Sequence, residues 1–287
     1  MPAPQVLKTG YTIGVIACGT MGTAVLNAIV TATTASDSKD VKTPLPGKFL
    51  TSVNSQKSVD RLNGIFGDKV SVSIGNNDKI VSSSDLIILG CKPFLADDIL
   101  SSIDKELFRG KTVISLLAGK TIEQLTTLTG ATVARAMTNT PSKIGAGMTV
   151  VSLPKVDIDE TVRDSISWIF NNTGRCLFMD EKFMDVATAL CGSGPAFCFL
   201  MIEALSDGAV KMGMPYPVAQ ECAAQVLHGA AQMVLEGNHP AVLRNAVCTP
   251  GGTTIGGLSV LEDKGVRGSV ASAVVEAANI ATALSKK

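Results

Sequence analysis

Aromatic residues make up only 4 % of this 287-residue sequence, with one Trp and two Tyr, and histidine occurs twice. So few rings argue against an aromatic-cored β-sandwich. Abundant Gly and Ala suit closely packed helices and parallel strands. Net charge is zero, from 25 basic and 25 acidic residues, without a long basic run or aromatic-interleaved patch. A nucleic-acid partner is therefore not expected. No run of about 18 apolar residues is uninterrupted, so no membrane span is expected. Met1–Gly10 lacks the apolar core of a signal peptide. The seven cysteines, Cys18, Cys91, Cys176, Cys191, Cys198, Cys222 and Cys248, form neither a Cys-x-x-Cys nor a metal-ligand cluster. An odd, scattered set favours a reducing compartment, and a cytoplasmic protein without a metal site is the expectation.

What is present is alternation. Tyr11–Ala17, Phe49–Val53, Val70–Ile74, Leu86–Gly90 and Val113–Leu117 read as buried strands. Met21–Thr31 and Lys57–Ile65 have helical spacing, and Ile99, Ile103 and Leu107 mark a further helix. Strands separated by helices predict a parallel sheet covered on both faces. The polar stretch Thr33–Lys48, with Pro44, Pro46 and Gly47, reads as a surface insertion. After Asp180 the strand pattern ends. Helical spacing then runs through Ala187–Leu190, Ala196–Val210, Val218–Leu235, Ala241–Val247 and Val266–Leu284, with Gly192-Ser193-Gly194-Pro195 as an interruption. In the last helix Val270, Ala273, Val274, Ala277 and Ala281 share a face. The expected plan is an α/β Rossmann-type domain with a parallel-rich sheet over 1–179, followed by an all-α dimerisation domain over 180–287. Its small-residue helices suit pairing with a second copy.

The first strand runs into Ala17-Cys18-Gly19-Thr20-Met21-Gly22 and then a helix. This is the dinucleotide fingerprint in its strand–turn–helix setting, with Ala17 in place of the first glycine. Gly19 would let the backbone approach a pyrophosphate, and Gly22 would allow close helix–strand packing. The second strand leads into Ser52-Val53-Asn54-Ser55-Gln56-Lys57, without the carboxylate that would bind the ribose hydroxyls of NAD(H). NADP(H) is therefore preferred, with NAD(H) possible, although Lys57 reads equally well as a solvated helix residue. Lys92, in Gly90-Cys91-Lys92-Pro93, ends a strand where ligands gather, and Pro93 would start the next helix. The small residues of Ser115–Gly119 would admit a flat ring.

Near the C-terminus, Thr249-Pro250-Gly251-Gly252-Thr253-Thr254 joins two helical runs. The first N–H groups of a helix lack intrahelical partners and favour an anion. The segment alone reads equally as a turn with a Gly C-cap and a Thr N-cap.

Together these segments, with Ala136-Met137-Thr138-Asn139-Thr140-Pro141 and Leu243 through Glu262, resemble the pyrroline-5-carboxylate reductase family over nearly the whole chain. The resemblance implies reduction of the C=N bond of Δ1-pyrroline-5-carboxylate to L-proline by a nicotinamide hydride. It also implies a homodimer or higher homo-oligomer. Gly19, Thr20 and Met21 would hold the pyrophosphate, with Cys18 also in the cofactor site and Asn54 and Ser52 near the adenosine phosphate. Asn77, Cys91, Lys92 and Ala118 would face the cofactor. Gly252 and Thr253 would give N–H groups to the substrate carboxylate, with Thr249 nearby, and the catalytic Thr254 would set its hydroxyl against the ring nitrogen. The chain departs from the family at Ala17, at Phe197 where Tyr is usual, and at Asn245 where Asp is common.

A threonine is a poor general acid. His228, mid-helix, and His239, before a short helix, read as structural, so protonation of the imine by solvent before binding, or through an ordered water, is expected. Two other readings remain. One is another imine or β-hydroxyacid reductase, with Lys211 as acid. The other is a non-catalytic NADP(H)-binding sensor.

Overall fold

The computed structural model describes residues 6–35 and 43–285. It contains strands β1 (Tyr11–Ile16), β2 (Pro46–Val53), β3 (Ser71–Ile74), β4 (Leu86–Leu89), β5 (Thr112–Ser115), β6 (Thr132–Met137), β7 (Gly147–Ser152) and β8 (Gly174–Phe178). The helices around them are α1 (Thr20–Ala35), α2 (Gln56–Phe66), α3 (Asn77–Ser82), α4 (Ala96–Ser101), α5 (Ile122–Thr129), α6 (Glu160–Asn171) and α7 (Met184–Ala187). The remaining helices are α8 (Gly194–Lys211), α9 (Tyr216–Leu235), α10 (Pro240–Ala246), α11 (Thr253–Asp263) and α12 (Val266–Ser285). Contacts divide the chain into two compact units, Met1–Gly192 with Ala277–Lys287, and Ser193–Glu276.

The first unit is built on one eight-stranded sheet of order β3-β2-β1-β4-β5-β6-β7-β8. β1 pairs in parallel with β2 on one side and β4 on the other, which makes its carboxyl end the topological switch point. Both faces are covered, as alternation predicts. Val25, Leu26 and Ile29 of α1, Leu62 and Phe66 of α2, and Ile166, Ile169 and Phe170 of α6 pack one side. Ile80, Val81, Leu100 and Leu125 pack the other. Neither β6 nor β7 announces its direction in the sequence. β7 runs antiparallel to β6, and β8 follows β7 in parallel, so the sheet is parallel-rich rather than parallel throughout.

Local chemistry sets several boundaries. Ser55 caps α2 by accepting from the Ser58 N–H. Thr121 and Gln124 form a reciprocal capping box on α5, which ends at the left-handed Gly130. The helix expected through Ile99, Ile103 and Leu107 is broken. α4 closes at Ser102, and Asp104 caps a separate 3₁₀ turn, Lys105–Phe108, by accepting from the Glu106 N–H. The expected insertion is shorter than Thr33–Lys48, because α1 reaches Ala35 and Pro46 already pairs with Tyr11; its middle lies outside the described residues.

The domain boundary expected at 179/180 differs from the division by compactness, which falls at Gly192/Ser193. α7 stays with the sheet, where Met184 and Ala187 pack on Val150. The end of α12 also belongs there: Thr282 and Ser285 donate to the two carboxylate oxygens of Asp185 at 3.0 and 2.9 Å. The glycine segment expected to interrupt the helices is instead a π-helical turn, Thr188–Ser193, leading directly into α8. Pro195 in the first turn of α8 offers no N–H, which favours the wider turn over a regular helix there.

As a result Glu181–Lys211 is one helical stretch of 31 residues, long and apolar enough by length and composition alone to cross a membrane. It contains no uninterrupted apolar run of that length, because Ser, Gly, Glu203 and Asp207 are spaced along it.

The second unit is all helical and has almost no interior of its own. Ser206, Ala219 and Ala223 are its buried residues, whereas Met212 is 86 % exposed, and Phe199, Leu200, Val226 and Val260 are also exposed.

Candidate active site

Four strand ends and the first glycine turn line a cavity of about 560 Å³ in the first unit. Cys18, Gly19, Thr20 and Met21 enter it from the turn after β1, Ser52 from β2 and Asn54 just after it, Asn77 from the start of α3, Cys91 and Lys92 after β4, and Ala118 after β5. All the residues expected to face the cofactor therefore meet in one place. A larger cavity of about 890 Å³ lies against α5 and β6, beside Arg135 and Glu181, and none of them lines it.

Ala17 takes φ +57°, the left-handed conformation that glycine would supply at the first fingerprint position. The replacement keeps the shape of the turn at the expense of strain. Ala17 and Cys18 donate to the carbonyl of Ser52 at 3.1 and 3.4 Å, and the Gly19 N–H closes back on the Ala17 carbonyl at 2.7 Å. A Cβ on Gly19 would meet nothing closer than 3.8 Å, so the backbone there is open to a ligand. Gly22 is not the tight packing point expected of it, since a Cβ would reach only ordinary contact, 3.5 Å from Val15. Close approach occurs instead at Gly14 in β1, where a Cβ would overlap the Ser84 hydroxyl that donates to the Ile80 carbonyl.

On the β2 side, the buried Ser52 hydroxyl donates to the Asn77 side-chain oxygen at 2.6 Å. Lys57 does not line the cavity. Ser58 and Arg61 do, three residues apart on one face of α2. The i, i+3 spacing of Ser58 and Arg61 is the sequence signal for Arg61, whereas Lys57, nearer the strand end, lies off that face. The two thiols in the cavity lining are protonated at neutral pH. Burial pushes Cys91 up to about 11 and also raises Cys18. No Asp or Glu lines this cavity, whereas Arg61 and Lys92 do, a charge balance that suits a phosphate-rich ligand. Pro93 opens a 3₁₀ turn, Pro93–Leu95, ahead of α4.

The second unit carries the other candidate loop. α10 ends at Ala246, and Thr249-Pro250-Gly251-Gly252 turns into α11. Gly251 has φ +67° and the Gly252 N–H donates to the Thr249 carbonyl at 3.0 Å, as in a type II turn with Pro at its second position. The Gly252 N–H expected to meet a carboxylate is thus engaged within the turn. The N–H groups that open the helix without an intrahelical acceptor are those of Thr253, Thr254 and Ile255. Thr249 and Thr253 are exposed and Thr254 is half-buried. Glu262 of α11 ties the neighbouring elements together by pairing with Arg267 of α12 and, at 4.0 Å, with Arg244 of α10. Asn245 accepts from Arg244 at 3.0 Å.

Both histidines have structural partners. His239 caps α10 by accepting from the Ala241 N–H at 3.2 Å, and His228 is exposed on α9 beside Gln232.

The strand order, the switch-point cavity and the glycine turn define a Rossmann-type dinucleotide-binding domain joined to a helical unit. Residues 12–119 match the family model "NADP oxidoreductase coenzyme F420-dependent", and residues 181–284 match "Pyrroline-5-carboxylate reductase dimerisation". Pyrroline-5-carboxylate reductase of Schizosaccharomyces pombe is 42 % identical, over 95 % of this chain and 98 % of that protein. The protein of the same name from Lophium arboricola is 41 % identical, over 96 % of this chain and 93 % of its own. The crystal structure of Plasmodium falciparum pyrroline carboxylate reductase with NADP bound superposes with a TM-score of 0.81 at 27 % identity, covering 97 % of this chain and 99 % of that one. The chain belongs to the pyrroline-5-carboxylate reductase family. The dimerisation model begins at 181, close to the boundary expected from the end of the strand pattern, while the compact units divide at Gly192.

Proposed function

We propose that this protein reduces the C=N bond of Δ1-pyrroline-5-carboxylate to L-proline, the last step of proline synthesis, with NADPH as preferred donor and NADH as a possible one. The observation that carries the reading is the convergence of the strand-end residues on one acid-free cavity, in a chain that matches family members along nearly its full length. When bound, the nicotinamide supplies the hydride that reduces the imine carbon.

This chain's residues bind and orient. The backbone of Gly19, Thr20 and Met21 holds the pyrophosphate, with Cys18 packed beneath it, while Ser52, Asn54 and Asn77 hold the adenosine ribose. Cys91, Lys92 and Ala118 border the nicotinamide end. The N–H groups of Thr253, Thr254 and Ile255 hold the substrate carboxylate, with Thr249 alongside, and Gly252 shapes the turn that presents them. The Thr254 hydroxyl aligns the ring nitrogen by accepting its N–H. The imine takes its proton from solvent, because the thiols of the cavity are held protonated by burial and both histidines have structural partners. Orientation rather than acid catalysis is the protein's main contribution.

A homo-oligomer, at least a dimer, belongs to the same proposal. The apolar side chains that the second unit leaves exposed need covering, and they lie in the segment matching the dimerisation model. This also accounts for the apolar composition of Glu181–Lys211. Seven free cysteines support residence in the reducing cytoplasm.

The test is NADPH oxidation, followed by absorbance, with pyrroline-5-carboxylate against a panel of other cyclic imines and β-hydroxyacids. Preference for pyrroline-5-carboxylate supports the proposal. Turnover confined to other substrates, or none at all, overturns it.

A further inference from the structure

We infer that Arg61 is the residue that selects the 2′-phosphate of the cofactor, an inference that rests on the NADPH reading above. The guanidinium is held by the phosphate turn itself. One terminal nitrogen donates to the Cys18 carbonyl at 3.0 Å and the other to the Thr23 hydroxyl at 3.1 Å, while Thr23 donates in turn to the Gly19 carbonyl at 2.7 Å. An arginine has five N–H donors, so three remain for an incoming anion, and the planar group is already oriented.

Its position fixes which phosphate it meets. Arg61 lines the cavity with Ser52, Asn54 and Ser58, at the carboxyl end of β2 where the adenosine ribose is read. Lys92, the other cation lining the cavity, follows β4, on the far side of β1 from β2. No ion pair neutralises Arg61 among the described residues, and its neighbour Asp60 is engaged by the Gln56 amide at 2.8 Å. A cation without a counter-charge, braced at the ribose end of a cavity lined by no carboxylate, suits a phosphate dianion. It gives a ribose hydroxyl much less.

The full-length protein is titrated calorimetrically with adenosine 2′,5′-bisphosphate and with 5′-AMP. The wild-type chain should prefer the bisphosphate. Arg61→Gln should weaken bisphosphate binding ~10-fold or more, the equivalent of ~1.4 kcal/mol, and leave 5′-AMP within about 2-fold. Arg61→Lys, which keeps the charge without the fork, should fall between, and it carries the test if Arg61→Gln does not fold. In steady state the variants should raise KM for NADPH while KM for NADH stays nearly constant. Equal losses for both fragments would make Arg61 a brace for the turn and overturn the inference, as would no loss or a wild-type chain that does not discriminate. The fragment titrations need no imine substrate. Discrimination by a chain that fails to reduce pyrroline-5-carboxylate would therefore sink the activity and leave the Arg61 assignment standing.

Discussion

The Gly252 N–H donates to the Thr249 carbonyl at 3.0 Å, and the Thr249 hydroxyl fills the space that a Cβ on Gly252 would need. The two residues are locked into one turn, and the turn sets the direction from which α11 begins. Thr249 therefore shapes the turn through both its carbonyl and its hydroxyl.

Gly252→Ala should displace the turn and raise the substrate KM or lower kcat by ~10-fold to 100-fold, since small misplacements near reacting groups are costly. Binding of 5′-AMP should not change. Adding Thr249→Ala removes the colliding hydroxyl and should recover part of the loss. A double variant no better than the single one would mean that the collision is not the cause.

Thr254→Ala keeps the helix N–H and removes the hydroxyl. A ~10-fold or greater fall in kcat/KM is expected, corresponding to ~1.4 kcal/mol of transition-state contact. Thr254→Ser should restore most of it. Kinetics of Thr254→Ala equal to wild type would take the hydroxyl out of the mechanism.

Ala17→Gly tests the altered fingerprint. A left-handed non-glycine residue costs about 1–2 kcal/mol, and glycine returns about 0.5–1 kcal/mol of that as unfolded-state entropy. The variant should be ~0.5–1 kcal/mol more stable in denaturant unfolding at fixed protomer concentration. A destabilised variant would show that Ala17 contributes packing that outweighs its strain.

Tyr11, buried at the start of β1, has its phenol pushed up to about 12 by desolvation, and its hydroxyl lacks a well-formed hydrogen bond. The ordinary phenol titrates near 10 in the unfolded chain, so folding disfavours the phenolate. The contribution of Tyr11 to stability is complete below pH ~10. It falls as pH rises toward 12, by up to ~1.4 kcal/mol per pH unit. Tyr11→Phe should flatten that part of the stability profile and cost little at neutral pH, because a poorly satisfied hydroxyl is removed. In a Tyr216→Phe background, ultraviolet titration should show one phenol ionising near pH 12.

Much of the cofactor cavity was legible because its residues follow directly from strands, and a parallel α/β sheet gathers strand ends at one edge. Arg61 was not legible in the same way, because it reaches the cavity from the second turn of α2 and its partners Cys18 and Thr23 are distant in the chain. β6, β7 and β8 lie beyond the five strands read individually from the sequence, and a strand pattern carries no direction, so the reversal of β7 was invisible. The engagement of the Gly252 N–H was equally hidden, since Pro250-Gly251 marks a turn without saying which donor closes it.

By itself, the sequence determined the alternating plan, the glycine turn, the missing carboxylate after β2 and the Thr-rich helix start, all of which depend on short-range spacing. Tertiary structure decided the direction of β7, the tight point at Gly14 rather than Gly22, and the pairing of Arg61 with the turn. It also gave the first unit a buried apolar interior while leaving apolar side chains exposed on the second. Each of these depends on how separate segments pack or fail to pack, and local propensity carries no information about such partners.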